Sequence, residues 1–253
     1  MQYVEYGAHN SQTIILLHGG GLSWWNYRDV AQLLSDRFHV VLPILDGHAD
    51  SDAPFNSIED NAARIISHID EHFGGKVLAV GGLSLGGQIA VEMLTQRSDI
   101  CRFALLESAL VKPSKLTHTL IKPTFSMSYG LIKQKWFAKM QATYLGIPQT
   151  LFDDYYQDTC KISKEDMIAF LQSNSAYSIK PALRDTQAKV HIVFGSKEQS
   201  AIRASGKMLH DTIPNSTLEN FPGFRHGDLS LNYPEQYAQI IVSLLEMGNF
   251  LYR

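Results

Sequence analysis

Cysteine is scarce in this chain. Its 253 residues hold only Cys101 and Cys160, and two thiols supply neither a disulfide framework nor a four-ligand zinc site. A surplus of charge is also missing. Lysine and arginine number 22 against 25 acidic residues, a formal net charge of −3. A nucleic-acid binder would carry a strong basic excess, so that class of partner is excluded. No uninterrupted apolar run approaches the length of a membrane-spanning helix. The first residues show no basic segment leading into an apolar stretch, so no secretory signal is read. The expectation is a cytoplasmic protein, monomer or homodimer, without integral membrane segments.

What is present is a globular composition, 45% hydrophobic and 19% charged. At this length a chain buries roughly 70–75% of its unfolded surface without staples or metals. Short runs rich in branched aliphatics occur at 14–17, 40–42, 77–80, 103–106 and 190–194. Such runs, bounded by turn residues, predict strands buried on both faces, as in a parallel sheet. Helical patterns at 25–36, 58–73, 88–97 and 235–247 lie between or after them. The alternation predicts an α/β fold, a mostly parallel central sheet with helices on both faces.

Residues 112–180 break the rhythm. They show no buried-strand pattern but place Phe125, Tyr129, Trp136, Phe137, Met140 and Tyr144 among scattered prolines. A structureless loop of that length is improbable in a compact domain, so the stretch reads as a helical insertion. Lys112, Lys115, Lys122, Lys133, Lys135 and Lys139 fall in it with no acidic residue before Asp153. That pattern suits a solvated face, or contact with an acidic substrate or anionic lipid.

The strongest chemical signal is Gly82-Leu83-Ser84-Leu85-Gly86, between the strand at 77–80 and the helix beginning at 88. A serine on a sharp strand-to-helix turn projects its hydroxyl above the sheet, and only small neighbours permit so close an approach. The helix N-terminus adds N–H groups where negative charge would develop. A dinucleotide fingerprint fails because Ser84 stands where the second glycine belongs, and a phosphate loop fails for want of lysine. A second signal, His18-Gly19-Gly20-Gly21, follows the strand at 14–17. Acyl transfer needs two oxyanion donors. Leu85 N–H is the first, and Gly20 N–H, or else Gly21, is the second. His18 reads as a brace for the loop.

With these motifs in order, the chain resembles the α/β-hydrolase family over nearly its whole length. The resemblance includes the Asp46-Gly47-His48 turn. It implies a core of residues 1–111 and 181–253 with a helical lid at 112–180. It implies a triad of Ser84, His226 and Glu198, with Glu107 as the alternative acid, and no cofactor or metal. His226 lies in a glycine-flanked loop before the last helix, where the family carries its base. Glu198, in Gly195-Ser196-Lys197-Glu198, stands where the family usually carries aspartate. Glu107, at the end of the strand at 103–106, is the other place where members carry the acid.

The implied activity is serine hydrolysis of a small ester or related acyl substrate, a carboxylesterase-like reaction. The same constellation also serves thioesterases, lactonases, C–C bond hydrolases, aminopeptidases and acyl transferases. Members that open epoxides or displace halides carry aspartate where this chain has Ser84. A second class of function is a ligand receptor on the same scaffold. The partner in either case is a small molecule with an apolar acyl group, and Gly21, Trp24, Phe125 and Trp136 are its expected contacts. Asp46, His48, Asp50 and Asp52 lack metal-ligand spacing.

Overall fold

The apolar runs form the inside of one sheet. The computed structural model describes residues 1–249. Its strands are β1 (Gln2–Tyr6), β2 (Thr13–Leu17), β3 (His39–Ile44), β4 (Val77–Leu83), β5 (Cys101–Glu107), β6 (Lys189–Gly195) and β7 (Ser216–Phe221). They pair in the order β1-β3-β2-β4-β5-β6-β7. Only β1 runs antiparallel to its neighbour. Side chains alternate across a strand, so β2 sends Ile15 and Leu17 into one core and Ile14 and Leu16 into the other.

Helices cover both faces. Helices α1 (Arg28–Leu34) and α10 (Pro234–Asn249) pack together on one. The other carries α2 (Ile58–His72) and α3 (Leu85–Gln96). Ser57 starts α2 by accepting the Asp60 N–H at 2.9 Å, and Glu59 and Asp60 complement the positive helix end. Ile58, Ala62, Ile65 and Ile69 recur at helical spacing and give α2 its buried face.

Between β5 and β6 the chain leaves the sheet and forms α4 (Lys115–Ile132), α5 (Lys135–Tyr144), α6 (Phe152–Lys161) and α7 (Lys164–Ala176). The last two are tied to the core. Trp25 donates its indole N–H to Asp158 on α6 at 2.9 Å. Gln88, fully buried behind the turn at Ser84, the nucleophile elbow of the resemblance, donates to the Asn174 carbonyl at 2.9 Å and accepts from the Asn174 amide at 2.8 Å. Phe55 N–H donates to Asp166 at 2.8 Å. The chain then forms α8 (Ser200–Thr212), packed on β6 and β7, and the short α9 (Asp228–Asn232).

Three departures from the sequence reading have physical reasons. Strands β1 and β7 sit at the sheet edges, half exposed and without an apolar run to mark them. The segment expected as one helix at 25–36 opens as a 3₁₀ turn, Trp24–Tyr27, before α1 begins. Helix α8, with Ile202 and Leu209 buried on one side, starts without a side-chain cap bond and has no strong start signal in the sequence. No helix among the described residues is long and apolar enough to cross a membrane.

Candidate active site

Ser84 sits where β4 ends and α3 begins. Its backbone is held at φ 53°, ψ −110°, a conformation that L-residues rarely adopt, and its N–H donates to the Glu107 carbonyl at 2.8 Å. The glycines make the turn possible. A Cβ on Gly82 would lie 2.4 Å from Gly86, and one on Gly86 would lie 2.1 Å from the Leu17 carbonyl oxygen. No side chain fits at either place.

Across the cleft, the loop before α9 presents His226. Its Nδ1 lies 2.8 Å from Glu198 Oε2. Glu198, in the loop after β6, is 5% exposed. Its Oε1 accepts the Ser108 hydroxyl at 2.6 Å and the Gly195 N–H at 2.9 Å. Burial alone would raise the pKa of this carboxyl. The hydrogen bonds from His226, Ser108 and Gly195 outweigh it and hold Glu198 below the usual carboxylate range. Glu198 is therefore a fixed anion, and its remaining oxygen orients the imidazole with the proton on Nδ1. The free Nε2 is left to accept a proton. Ser84 and His226 line the same cavity, without a hydrogen bond between their side chains among the described residues. Such bonds commonly tighten only when substrate is present.

Glu107 is placed differently. Its Oε1 accepts the N–H groups of Leu229 and Ser230 at 3.1 and 3.3 Å, at the start of α9. Its Oε2 is buried without a hydrogen-bond partner. Burial pushes its pKa up to about 7. It pins the helix that follows His226 rather than touching the imidazole by hydrogen bond.

The glycine loop after β2 is braced by two neutral histidines. His18 is fully buried. Its Nε2 accepts the Leu45 N–H at 3.1 Å, so Nδ1 carries the proton and donates to the Gly19 carbonyl at 2.9 Å. His48 uses the same tautomer, with Nδ1 donating to the Asp46 carbonyl at 3.1 Å and Nε2 accepting the Gly21 N–H at 3.0 Å. Burial lowers its pKa to about 4 and that of His18 well below the usual imidazole range. Gly21 is thereby corrected as an alternative oxyanion donor, because its N–H is already taken. The Gly20 N–H has no partner among the described residues, and Gly20 and Leu85 both line the cavity beside Ser84.

That cavity holds about 150 Å³ and is mostly apolar, with walls of Leu22, Leu145, Ile147, Phe170, Leu171 and Leu231. A second cavity of about 460 Å³ shares Ser84 and His226 and adds Tyr144, Lys197 and Arg225. Neither Lys197 nor Arg225 makes an ion pair among the described residues. The four residues expected to contact substrate lie elsewhere. Gly21 faces His48. Trp24 packs on the core beneath the loop. Phe125 turns from α4 onto the core, and Trp136 is 64% exposed on the outer side of α5. None of the four lines either cavity. Helix α7 supplies the aromatic wall instead. Its Phe170 stacks on His48 at 4.7 Å between ring centres and approaches Gly20. The acidic turn is occupied by ion pairs, Arg64 with Asp46 at 3.1 Å and Asp52 at 3.3 Å, and Lys161 with Asp50 at 3.2 Å.

The elbow, the braced glycine loop and the sheet order agree with a direct comparison. A sequence profile of the alpha/beta hydrolase family matches residues 14–240. The chain belongs to the α/β-hydrolase family. It is similar to the uncharacterized hydrolase YugF of Bacillus subtilis, 24% identical, with 94% of this chain and 90% of that one covered. It is also similar to the bifunctional esterase/perhydrolase DCH of Acinetobacter calcoaceticus, 24% identical over 89% of this chain and 88% of that one. In fold it matches the enol-lactonase of Burkholderia xenovorans LB400 with a TM-score of 0.82, at 17% identity, covering 97% and 96% of the two chains. As an α/β-hydrolase, the chain carries its insertion between β5 and β6 and its candidate reacting groups on loops at one end of the sheet.

Proposed function

We propose that this α/β-hydrolase is a serine hydrolase that cleaves esters of a small apolar acyl group. The observation that carries the reading is the His226–Glu198 pair, joined at 2.8 Å, on the wall of the cavity that holds the strained Ser84. Ser84 Oγ would attack the ester carbonyl while His226 Nε2 takes its proton. The N–H groups of Gly20 and Leu85 would receive the oxyanion, the latter at the positive end of α3. His226 would return the proton to the departing alcohol. Water, activated by the same nitrogen, would then release the acid and restore Ser84.

The two cavities support a two-armed substrate. The apolar one suits the acyl chain. The larger one is lined by Lys197 and Arg225, without ion pairs among the described residues, and by one anion, Glu198, already held by His226, Ser108 and Gly195; the positive balance favours an arm carrying negative charge. Residues 112–180 would act as the lid over both, on a core of 1–111 and 181–253, since Leu145, Phe170 and Asn174 of that segment wall the site.

Treatment with a fluorophosphonate and measurement of the intact mass tests the reading. One adduct per chain, absent from Ser84→Ala, is the expected result. An unlabelled wild-type chain that still hydrolyses esters would overturn Ser84 as nucleophile. A chain that is unlabelled and inactive yet binds apolar acids tightly would favour the receptor class.

A further inference from the structure

The insertion has an outer side that the proposed chemistry does not use. Helices α6 and α7 hold the core, while α4 lies on α7. The outward surface of α4 carries Leu116, Leu120, Met127 and Leu131, all exposed, with Met127 at 88%. At 3.6 residues per turn these four fall within an arc of roughly 60° and span roughly 22 Å. Helix α5 continues the theme with Trp136, Met140 and Tyr144, exposed at 64, 55 and 79%. They too share one stripe. Large apolar side chains exposed together in this way are rare on a monomer unless they meet something.

The charges around the stripes indicate what they meet. All six lysines between 112 and 139 are exposed. Lys115 and Lys122 fall on one flank of the α4 stripe, and Lys135 and Lys139 on one flank of the α5 stripe, roughly 60–120° of helix rotation away. No acidic residue occurs from 112 to 152. Among the described residues these lysines make one ion pair, Lys135 with Asp153 at 3.7 Å. Two copies of this chain meeting face to face here would oppose like charges, which disfavours a dimer through this surface. An apolar stripe edged by lysine suits an interfacial helix lying on anionic lipid.

We propose that the outer face of α4 and α5 is a docking surface for anionic lipid membranes. The helices lie along the interface, with Met127 and Trp136 in the acyl boundary and the lysines among the headgroups. Tyr144 and Leu145, at the end of this surface, also border the cavity that holds Ser84, so docking sets the mouth of the site beside the bilayer. The inference does not depend on the reaction at Ser84, and Ser84→Ala is expected to bind vesicles as the wild type does.

The test is flotation of the full chain with vesicles of phosphatidylcholine alone or mixed with phosphatidylglycerol. Binding is expected to the mixed vesicles, to weaken at high salt, and to shift Trp136 emission to the blue, with Trp136→Phe removing the shift. Each lysine near the surface contributes about a fivefold factor, so Lys115→Gln/Lys122→Gln/Lys139→Gln should lower partitioning about 100-fold. Leu120→Ser/Met127→Ser should weaken binding at any salt. Circular dichroism and turnover of a soluble neutral ester verify that these variants are folded. The proposal is overturned if the wild type ignores mixed vesicles, if it binds both vesicle types alike, or if the lysine variant binds undiminished. It is equally overturned if sedimentation shows a dimer whose formation alone shifts Trp136 emission.

Discussion

Replacing Glu198 by glutamine isolates the orienting role of the carboxylate with little change of shape. The new amide has two orientations. In one, its carbonyl stays at the Oε1 position and keeps the Gly195 N–H, 2.9 Å away. In the other, the NH2 group faces that backbone N–H, a buried donor against a donor, at a cost of about 1–3 kcal/mol. Ser108 does not discriminate, since its hydroxyl rotates to donate or accept. The first orientation therefore wins, and it aims the NH2 group at His226 Nδ1, 2.8 Å away. A donor there requires Nδ1 to be the acceptor, so the imidazole proton moves to Nε2. With its proton on Nε2, His226 has no lone pair for the Ser84 hydroxyl. The expected loss in kcat is about ten-thousand-fold, equivalent to about 5.5 kcal/mol of barrier, with KM nearly unchanged. Steady-state turnover of a soluble ester measures it, and proton NMR of the imidazole N–H reports the tautomer. If Glu198→Gln keeps activity within tenfold while Glu107→Gln loses a thousandfold or more, Glu107 is the acid and the reasoning fails.

Other outcomes follow from neighbouring groups. Glu107 has a folded pKa near 7, above its unfolded 4.5. The folded state thus binds the extra proton between those values, and stability falls as pH rises from about 4.5 to 7, by about 3 kcal/mol. His48 titrates with the opposite sign in the same window, so the slope is read from the difference in denaturant stability between wild type and Glu107→Gln at each pH, which should fall by about 3 kcal/mol from pH 4.5 to 7. His48 has the opposite sign, since its folded pKa of about 4 lies below 6.5. It contributes stability above pH 6.5 that is lost as pH falls towards 4, again by about 3 kcal/mol, and the difference in stability between wild type and His48→Phe at each pH should show that loss. His48→Phe also removes the acceptor of the Gly21 N–H, so the oxyanion loop loosens and kcat should drop about tenfold to a hundredfold with KM steady. Lys197→Gln/Arg225→Gln should lower kcat/KM about tenfold for an ester bearing a carboxylate on its second arm. A neutral ester of equal size should be unaffected, and an equal fall for both would remove the anionic arm from the reading.

The parts legible in the sequence are those dictated by local sterics. Ser84 announces itself because its turn tolerates only glycine at 82 and 86, where a Cβ would collide with backbone. The inner strands announce themselves because both their faces are buried, which leaves no room for polar residues in β2 or β3 beyond their ends. Edge strands have no such pressure, and β1 and β7 went unmarked. Of the two buried glutamates, the resemblance alone puts Glu198 ahead of Glu107 as the acid, since each ends a central strand or follows one. Their partners in space differ: an imidazole for Glu198, two backbone N–H groups for Glu107.

The cavity wall was the hardest part to read, for a physical reason. Aromatic content tells how much apolar surface a segment has, but not which side of a helix meets the core. In α5 the helix turns Ala138 and Ala142 inward, and small residues let it lie close to its support. Trp136, at the opposite side, is left to solvent. In α7 the buried positions are Met167 and Phe170, and Phe170 reaches the glycine loop because Asp166, one turn earlier, is fastened to the Phe55 N–H. That fastening joins residues 111 apart in sequence, and His48, which completes the wall with Gly21, acts over 27. Side chains that shape this site through such distant bonds leave no periodic signature. The same logic accounts for the lysines at 112–139. They lie on solvent-exposed sides of α4 and α5, where Lys135 alone has an acidic partner among the described residues, Asp153, and little else constrains the charge.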